Sequence, residues 1–203
     1  MFFKPSVLAL ALAGTITTGC VSTKSGDQNI PLNSNNTIIG TDHPFASEAI
    51  YFVVTDRFVD GDPKNNHEDQ GGSHPTWQLP LEGPDGKKAY VGYMGGDLKG
   101  ILNNGDYISD MGFTAVWMTP VVDNPDYAFN GDEPITYGGA FKDGGKTGYH
   151  GYWATNFYKP DEHLVSDDLS VKQYTDQMRE QFGLKSVFDI VANHGSPSFT
   201  MES

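Results

Sequence analysis

Three polar residues with chemical potential follow a short apolar run near the end of the chain. The run is VFDIVANH at residues 187–194, where Asp189, Asn193 and His194 supply a carboxylate, an amide and an imidazole. Its β-branched and aromatic residues predict a strand, and apolar side chains on both faces predict a buried parallel one. In a parallel α/β barrel, ligands bind at the carboxyl ends of the strands. A capped strand whose polar residues satisfy a turn explains the triplet equally well.

A second cluster of candidate ligands follows a strand predicted at residues 49–54. It places Asp60, Asp62, Asn65 and Asn66 within one short loop bent by a glycine and a proline. Hard cations such as Ca²⁺ prefer several oxygen ligands from a flexible loop. The spacing is not that of an EF-hand, and the same residue types also build ordinary polar turns. Taken alone, the loop favours the turn slightly over the cation site.

Alternating strands and helices must position both clusters. A helix that Asp97 can cap follows the loop, and a second strand is predicted at residues 113–118. A further helix at residues 168–181 precedes the apolar run, and strand–helix–strand order predicts a parallel sheet. Residues 121–167 predict a long, structureless, aromatic-rich loop, and a loop of that length is usually functional.

The pattern of the predicted helix at residues 168–181 indicates which side it buries. Leu169, Tyr174 and Met178 are expected to face inward, since their spacing fits one helical face. Ser166 or Asp167 is expected to cap its amino end.

Composition narrows the class of protein. The chain has 203 residues, one cysteine and a formal net charge of −13. That length allows one ordinary domain or part of a large one. The acidic balance argues against nucleic-acid binding, which needs a basic surface, and it suits calcium. A single cysteine allows no disulfide within the chain, so the core, with a metal if one binds, must hold the fold.

The first 44 residues are expected to lie outside the folded domain. Residues 1–19 contain an early lysine and an apolar stretch too short to span a bilayer, which predicts an export signal. Cys20 and the residues before it resemble a bacterial lipobox, although Thr17 stands where that motif usually has leucine. A plain signal peptide that leaves a free thiol is the alternative. Residues 20–44, rich in Ser, Thr, Asn and Gly, predict a flexible tether.

Four stretches that occur in order along the chain form one pattern over about residues 50–196. They are YFVVTDRF at residues 51–58, the loop at residues 60–66 with GGD at residues 95–97, YHGYW at residues 149–153 and DIVANH at residues 189–194. Together they resemble the α-amylase family, glycoside hydrolase family 13, and most of all its calcium-binding bacterial α-amylases and cyclodextrin glucanotransferases. Any one stretch is a weak signal, but four in order at sensible spacing are highly specific.

The resemblance implies an α/β fold in which residues 45–203 form the first three βα units of a TIM (β/α)₈ barrel. It also implies Ca²⁺ as cofactor and assigns its ligands residue by residue. Asn193 resembles a ligand of a second calcium. The residues that resemble ligands of the first calcium are Asp60, Asp62, Asn65, Asn66, Gly95 through its carbonyl, and Asp97.

The same resemblance assigns the substrate-binding residues. His150 and His194 are similar to the histidines that hydrogen-bond the sugar at the cleaved position. Tyr152 is similar to the aromatic that stacks under that sugar, with Trp153 in the same binding segment. Asp189 is similar to the structural carboxylate of the third strand. A capped strand end for His194, and loop packing for Tyr152 and Trp153, become the weaker interpretations once the family pattern is considered.

Family membership would make the protein a retaining glycosidase that acts on α-1,4-glucans such as starch and maltodextrins. The family's nucleophile and general acid follow the fourth and fifth strands, so both are expected beyond Ser203. Because such a barrel needs about 250 residues, residues 20–203 alone are expected to be poorly stable and inactive. The alternatives are a surface-tethered glucan-binding protein without catalysis and a bare calcium-binding structural module.

The expected setting follows from the same features. The protein is expected to be a monomer whose partners are an α-glucan and, through a lipid on Cys20, a membrane. Val21 follows the cysteine, and the absence of aspartate there favours the outer membrane under the sorting rule for lipoproteins. If the cysteine is not lipidated, the protein is expected to be secreted.

Overall fold

The computed structural model of the protein describes residues 45–129 and 147–196. The predicted signal, Cys20 and tether therefore lie outside the described residues, which belong to a unit at Thr41–Ser203. In chain order the elements are β1 (Ile50–Val53), β2 (Pro80–Glu82), β3 (Lys88–Tyr90), α1 (Leu98–Leu102), α2 (Gly105–Asp110), β4 (Ala115–Met118), β5 (Val122–Asp123), β6 (Asn156–Pro160), α3 (Val171–Phe182) and β7 (Lys185–Phe188). Short 3₁₀ turns follow β1 at Thr55–Arg57 and Pro63–Asn65.

Three parallel strands form the central sheet in the order β1-β4-β7. β4 pairs with both neighbours along its whole length, with Ala115 opposite Ile50 on one side and opposite Lys185 on the other. Helices α1 and α2 connect the first two strands and α3 connects the next two, which is the βαβ arrangement that a parallel pair requires. The predicted parallel sheet is confirmed.

The core lies between one face of this sheet and the helices. Val53, Val116 and Met118 point to that side and are almost completely buried. Helix α3 covers them with Tyr174 and Met178, which are one turn apart and fully buried, as predicted. Burial of each apolar side chain of the sheet contributes about 2 kcal/mol to the stability of the fold. The packed face therefore fixes how the strands are placed and where their carboxyl ends lie.

The opposite face of the sheet is open within the described residues. The rings of Phe52 and Trp117 form an edge-to-face pair at 5.0 Å, yet 49% and 40% of these residues remain exposed. The prediction that the third strand is buried on both faces is wrong. Its pairing with β4 ends at Phe188, and Ile190 beyond it is 77% exposed, because no described layer covers this side.

The amino end of α3 differs from the prediction. Ser170 is the cap, and its hydroxyl accepts the Gln173 N–H at 3.3 Å while the Gln173 side chain accepts the Ser170 N–H at 2.8 Å. This reciprocal pair satisfies two amide groups that the first turn leaves open. Ser166 and Asp167 are therefore not the cap, and Ser166 instead bridges to Leu169.

The long segment after β4 contains secondary structure that the sequence did not reveal. Strand β5 pairs antiparallel with β6 across it, so its described part is not structureless. A separate antiparallel hairpin of β2 and β3 lies in the polar region before α1. Residues 130–146 of the aromatic-rich loop lie outside the described residues. The pairing of β5 with β6 brings residues near 155 back to the end of β4.

Candidate functional site

The carboxyl ends of the three parallel strands bring the candidate residues together. The Thr55–Arg57 turn follows β1, Thr119 follows β4 and Asp189 follows β7. Thr119 Oγ1 accepts the Thr55 N–H at 3.2 Å, and both residues are buried. This bond fixes the first two strand ends against each other at the edge where ligands bind in parallel sheets.

Asp97 connects the predicted cation loop, residues 60–66, to helix α1. Its Oδ1 accepts the Gly100 N–H at 2.6 Å and the Gly61 N–H at 3.1 Å. Its Oδ2 accepts Asn65 Nδ2 at 3.0 Å. The predicted helix cap is confirmed. Asp97 is fully buried, and this burial raises its pKa despite the three donors.

Two amide oxygens of the cation loop lack a donor. Asn65 and Asn66 use their Nδ2 groups on Asp97 and Asp60, the latter at 2.9 Å, and both Oδ1 atoms are buried without a hydrogen-bond partner. The backbone of Gly95 approaches the second of these oxygens at φ +90°, where an added Cβ would lie 2.6 Å from Asn66 Oδ1 and 3.0 Å from Asp60 Oδ2. Buried oxygens without donors are unfavourable, and a hard cation would satisfy them.

The remaining predicted metal ligands lie in other surroundings. Asp62 caps the Pro63–Asn65 turn and lies 3.5 Å from Lys99 Nζ. Asn193 lies in the exposed segment after β7. Across residues 45–129 and 147–196, no group of three or more His, Cys, Asp and Glu side chains is arranged to hold a metal. A cation at the loop would therefore combine the carboxylates of Asp60 and Asp97 with amide and backbone carbonyl oxygens, and its assignment stays a prediction.

The aromatic-rich loop reaches the strand ends through two glycines. Gly151 has φ +81°, and an added Cβ there would lie 2.1 Å from the carbonyl oxygen of Pro120, directly after β4. An added Cβ at Gly148 would lie 2.4 Å from the side chain of Asn124. Asn124 Oδ1 also accepts the Trp153 N–H at 2.9 Å. Only glycine permits this approach of backbone to backbone, so the segment is seated on the end of β4.

Three of the predicted substrate-binding side chains form one half-buried aromatic group. The ring centroid of His150 lies 5.6 Å from that of Tyr152 and 4.8 Å from that of Trp153. The Tyr152 N–H donates to His150 Nδ1 at 3.0 Å. Because Nδ1 accepts, the neutral imidazole carries its proton on Nε2. His150 therefore carries an N–H group of the kind that can donate to a hydroxyl.

Asp189 joins this group from the end of β7. The Tyr152 hydroxyl donates to Asp189 Oδ2 at 2.7 Å. Burial, together with this carboxylate, raises the pKa of Tyr152 to about 12. His194 lies in the exposed part of the following segment, which returns to the aromatic-rich loop where the Ser196 N–H donates to the Ala154 carbonyl at 2.9 Å. The structure thus brings together His150, Tyr152, Trp153 and Asp189.

Two neighbouring residues at the site were not singled out from the sequence. Asp56 is buried, and its carboxylate accepts the N–H groups of Met94 and Gly95 at 2.9 and 3.2 Å and Arg57 Nη1 at 2.8 Å. Burial raises the pKa of Asp56 to about 6, and the positive charge of Arg57 opposes this rise. The sequence contains one signal for them, an oppositely charged pair directly after a strand. The residues that this pair contacts are distant in sequence.

Comparison with known proteins agrees with this geometry. The family profile described as alpha amylase, catalytic domain, matches residues 52–203. A cyclomaltodextrin glucanotransferase of Klebsiella oxytoca is 36% identical over 153 residues, which is 75% of this chain and 20% of that protein. An alpha-amylase of Saccharomycopsis fibuligera is 38% identical over 154 residues, 73% of this chain and 23% of that protein.

A solved structure shows the same relationship. The crystal structure of CldA, a cyclomaltodextrin glucanotransferase with a three-domain ABC distribution, matches with a TM-score of 0.52 at 32% identity. The match covers 75% of this chain and 27% of that one. The chain spans about a fifth of the length of the curated relatives it matches, as the 20% covered in Klebsiella oxytoca shows.

Proposed function

Since this chain belongs to the α-amylase family, we propose that it is part of a glycoside hydrolase that cleaves α-1,4-glucans such as starch and maltodextrins with retention. One observation supports this most strongly: the Tyr152 hydroxyl bonds to Asp189 at 2.7 Å and so holds a sugar-sized aromatic face beside the Nε2–H of His150. Flat aromatic faces and directed donors are what a pyranose ring needs.

Each of the predicted site residues has a role in binding or orienting the sugar in this proposal. Tyr152 stacks under the sugar at the cleaved position, with Trp153 beside it, and His150 donates to one of its hydroxyl groups. Asp189 fixes the Tyr152 ring through the hydroxyl, and His194, in the exposed segment after β7, is the second proposed hydrogen-bonding residue for the same sugar. The bond cleavage uses a carboxylate nucleophile and a carboxylic general acid, which the family places after its fourth and fifth strands. The residues described here bind and orient the sugar.

We further propose that the cation loop holds Ca²⁺. The residues that would hold it are Asp60, Asn66, Gly95 through its carbonyl, Asn65 and Asp97, and the two buried amide oxygens without donors support this assignment. Bound calcium would neutralise the carboxylates and fix the loop after β1 to helix α1. Asp62 and Asn193 are the less well supported ligands, since Asp62 faces Lys99 and Asn193 is exposed.

Export with a lipid on Cys20 remains our proposal for the location of the protein, with the outer membrane favoured by Val21. It rests on the sequence of residues 1–21 alone. In the part of the chain that the structure describes, no helix has the length and apolar character needed to cross a membrane.

The binding proposal is tested by titrating maltoheptaose into the full chain and measuring the heat of binding. We expect His150→Ala to weaken the affinity at least tenfold, because the directed donor is lost. Tyr158→Ala is the matched control, since Tyr158 is completely exposed on β6 and should not affect binding. Equal affinity of His150→Ala and the native chain would contradict the proposed site.

A second assay separates catalysis from binding alone. Release of reducing sugar from starch would support hydrolysis by the chain as tested. Maltoheptaose binding without such release agrees with the proposed function, whose nucleophile and general acid follow the fourth and fifth strands, and also with a tethered glucan-binding protein. Stabilisation by calcium without any effect of maltoheptaose would favour a calcium-binding structural module.

A further inference from the structure

We infer that Arg57 is a positioning residue for the ring segment, residues 149–153, and that its planar guanidinium fixes this segment against the carboxyl end of β1. The guanidinium carbon lies 3.8 Å from the centroid of the Tyr149 ring. The Tyr149 ring in turn contacts His150, with centroids 5.2 Å apart. Arg57 therefore acts on the proposed sugar site through one intervening side chain.

Arg57 is itself held by contacts on several sides. Its Nη1 donates to Asp56 Oδ2 at 2.8 Å, and its Nη2 donates to the carbonyl oxygens of Gly92 and Tyr90 at 2.8 and 3.2 Å. A side chain bonded through both arms of its fork has lost most of its rotamer freedom. The flat face that meets the Tyr149 ring is thus preorganised, and the ring stacks on a fixed surface.

The anchor of this arrangement is the buried carboxylate of Asp56. It accepts the N–H groups of Met94 and Gly95 and so joins the end of β1 to the strand-like segment that reaches the cation loop. The Gly96 N–H also donates to the Asp56 carbonyl at 2.9 Å. One dipeptide, Asp56 with Arg57, therefore connects β1, residues 90–96 and the ring segment.

An alternative role for Arg57 is simple neutralisation of the Asp56 charge. If Arg57 served only to neutralise Asp56, any cation of similar length would replace it. A lysine ammonium can contact the carboxylate, but it has no planar face for the Tyr149 ring and no second arm for the Gly92 and Tyr90 carbonyl groups. Arg57→Lys therefore distinguishes a positioning role from simple charge compensation.

Hydrogen–deuterium exchange of the full chain, followed by peptide mass analysis, tests the inference. We expect Arg57→Lys and Arg57→Met to accelerate exchange in residues 148–155 at least tenfold, with exchange in α3 unchanged as a check that the fold is intact. Arg179→Met is the control, because Arg179 forms a surface ion pair with Asp176 on α3. It should leave residues 148–155 as in the native chain.

Tyr149→Leu provides a second variant that leaves the Asp56–Arg57 contacts in place. We expect it to accelerate exchange in residues 148–155 while the Met94 and Gly95 amides stay protected. Exchange in residues 148–155 within twofold of the native rate in Arg57→Lys or in Tyr149→Leu would overturn the inference. Unchanged exchange in Arg57→Lys would mean that Arg57 acts only through its charge. Unchanged exchange in Tyr149→Leu would mean that Tyr149 does not connect Arg57 to the ring segment.

The consequence for sugar binding rests on the proposed function. If the ring segment binds maltoheptaose, Arg57→Lys should weaken that affinity several-fold and Arg179→Met should not. If the native chain does not bind maltoheptaose, the proposed function fails, and the exchange measurement still decides the role of Arg57.

Discussion

Two buried networks of acids and amides in this molecule are built from similar residues and are satisfied differently. In the Asp161 network, Oδ1 of Asp161 contacts the backbone N–H and Nδ1 of His163, both at 2.9 Å. Its Oδ2 accepts the Asn124 N–H at 3.0 Å and the Tyr93 hydroxyl at 3.3 Å. In the cation loop, Asn65 Oδ1 and Asn66 Oδ1 are buried without a donor.

The difference separates a structural network from one that suits a cation. Each oxygen of Asp161 has two donors, and Tyr93 stacks on the His163 ring at 3.8 Å, so the carboxylate is satisfied without a bound ion, and the one buried atom of this network without a partner among the described residues is His163 Nε2. The cation loop turns its amide N–H groups toward carboxylates and leaves both amide oxygens buried without a donor, with Asn66 Oδ1 close to Gly95. Oxygens gathered in this way lack a positive partner. Calcium should therefore stabilise the cation loop and leave the stability of the Asp161 network unchanged.

The largest effect is expected for Asp161→Ala. The substitution leaves two backbone N–H groups, an imidazole and a hydroxyl without their acceptor, which should lower the free energy of unfolding by about 3 kcal/mol. Urea unfolding should give the same loss in calcium and in EGTA. Asp167→Ala, at an exposed position, is the control and should change stability by less than about 0.5 kcal/mol. A loss that appears only in calcium would contradict the structural role.

Gly95→Ala should have the next largest effect. The new Cβ would lie 2.6 Å from Asn66 Oδ1 on a backbone at φ +90°. We expect about 2 kcal/mol of destabilisation from strain and overlap together, and loss of any stabilisation by calcium. Gly86→Ala is the matched control, because Gly86 has φ +73° with nothing within 4 Å of the added carbon. Retained calcium stabilisation in Gly95→Ala would place the cation elsewhere.

Asp60→Asn sharpens the comparison, because Asp60 is the exposed carboxylate of the loop. The change keeps the shape of the side chain but removes one negative charge. We expect calcium affinity to fall about tenfold, equivalent to about 1.4 kcal/mol, with stability in EGTA unchanged within about 0.5 kcal/mol. Calcium titration by calorimetry measures the first quantity. Unaltered calcium affinity would remove Asp60 from the proposed ligands.

The smallest effect concerns the third strand end, where Asp189 accepts the Tyr152 hydroxyl. Tyr152→Phe should lower the free energy of unfolding by about 1 kcal/mol. Tyr158→Phe, at an exposed position, is the control. Because the pKa of Tyr152 is raised to about 12, the folded protein keeps this proton when the unfolded chain loses it above about pH 10. The difference in the free energy of unfolding between the native chain and Tyr152→Phe should have its full value below about pH 10 and should disappear as the pH rises toward 12. A constant difference across that range would contradict the bond.

The sequence predicted those parts of the fold that depend on local pattern. The apolar runs gave β1 and β4, the order of elements gave the parallel sheet, and the spacing of Tyr174 and Met178 gave the buried face of α3. The resemblance to the α-amylase family is confirmed by the match over residues 52–203. The Ser-x-x-Gln pattern of residues 170–173 is the local signature of the capping pair at the start of α3.

Other features depend on contacts that no local pattern contains. Strand β7 begins at Lys185, two residues before the apolar run, because backbone pairing with β4 sets its limits rather than hydrophobicity. The short strands β5 and β6 contain no continuous apolar run, and each is defined by its pairing with the other. Asn124 and Arg57 acquire their roles from Trp153 and Tyr149, which are far along the chain. No local pattern in the sequence marks contacts of this kind.

The most direct test of the proposed site is nuclear magnetic resonance of the full chain during titration with maltoheptaose. The imidazole signals of His150 and the ring signals of Tyr152 and Trp153 should shift with a common saturation curve, while those of Tyr158 stay in place. Such a result would locate the sugar at the carboxyl end of the three strands. Shifts confined to Tyr158 and its neighbours, or no shifts at any concentration, would contradict the account.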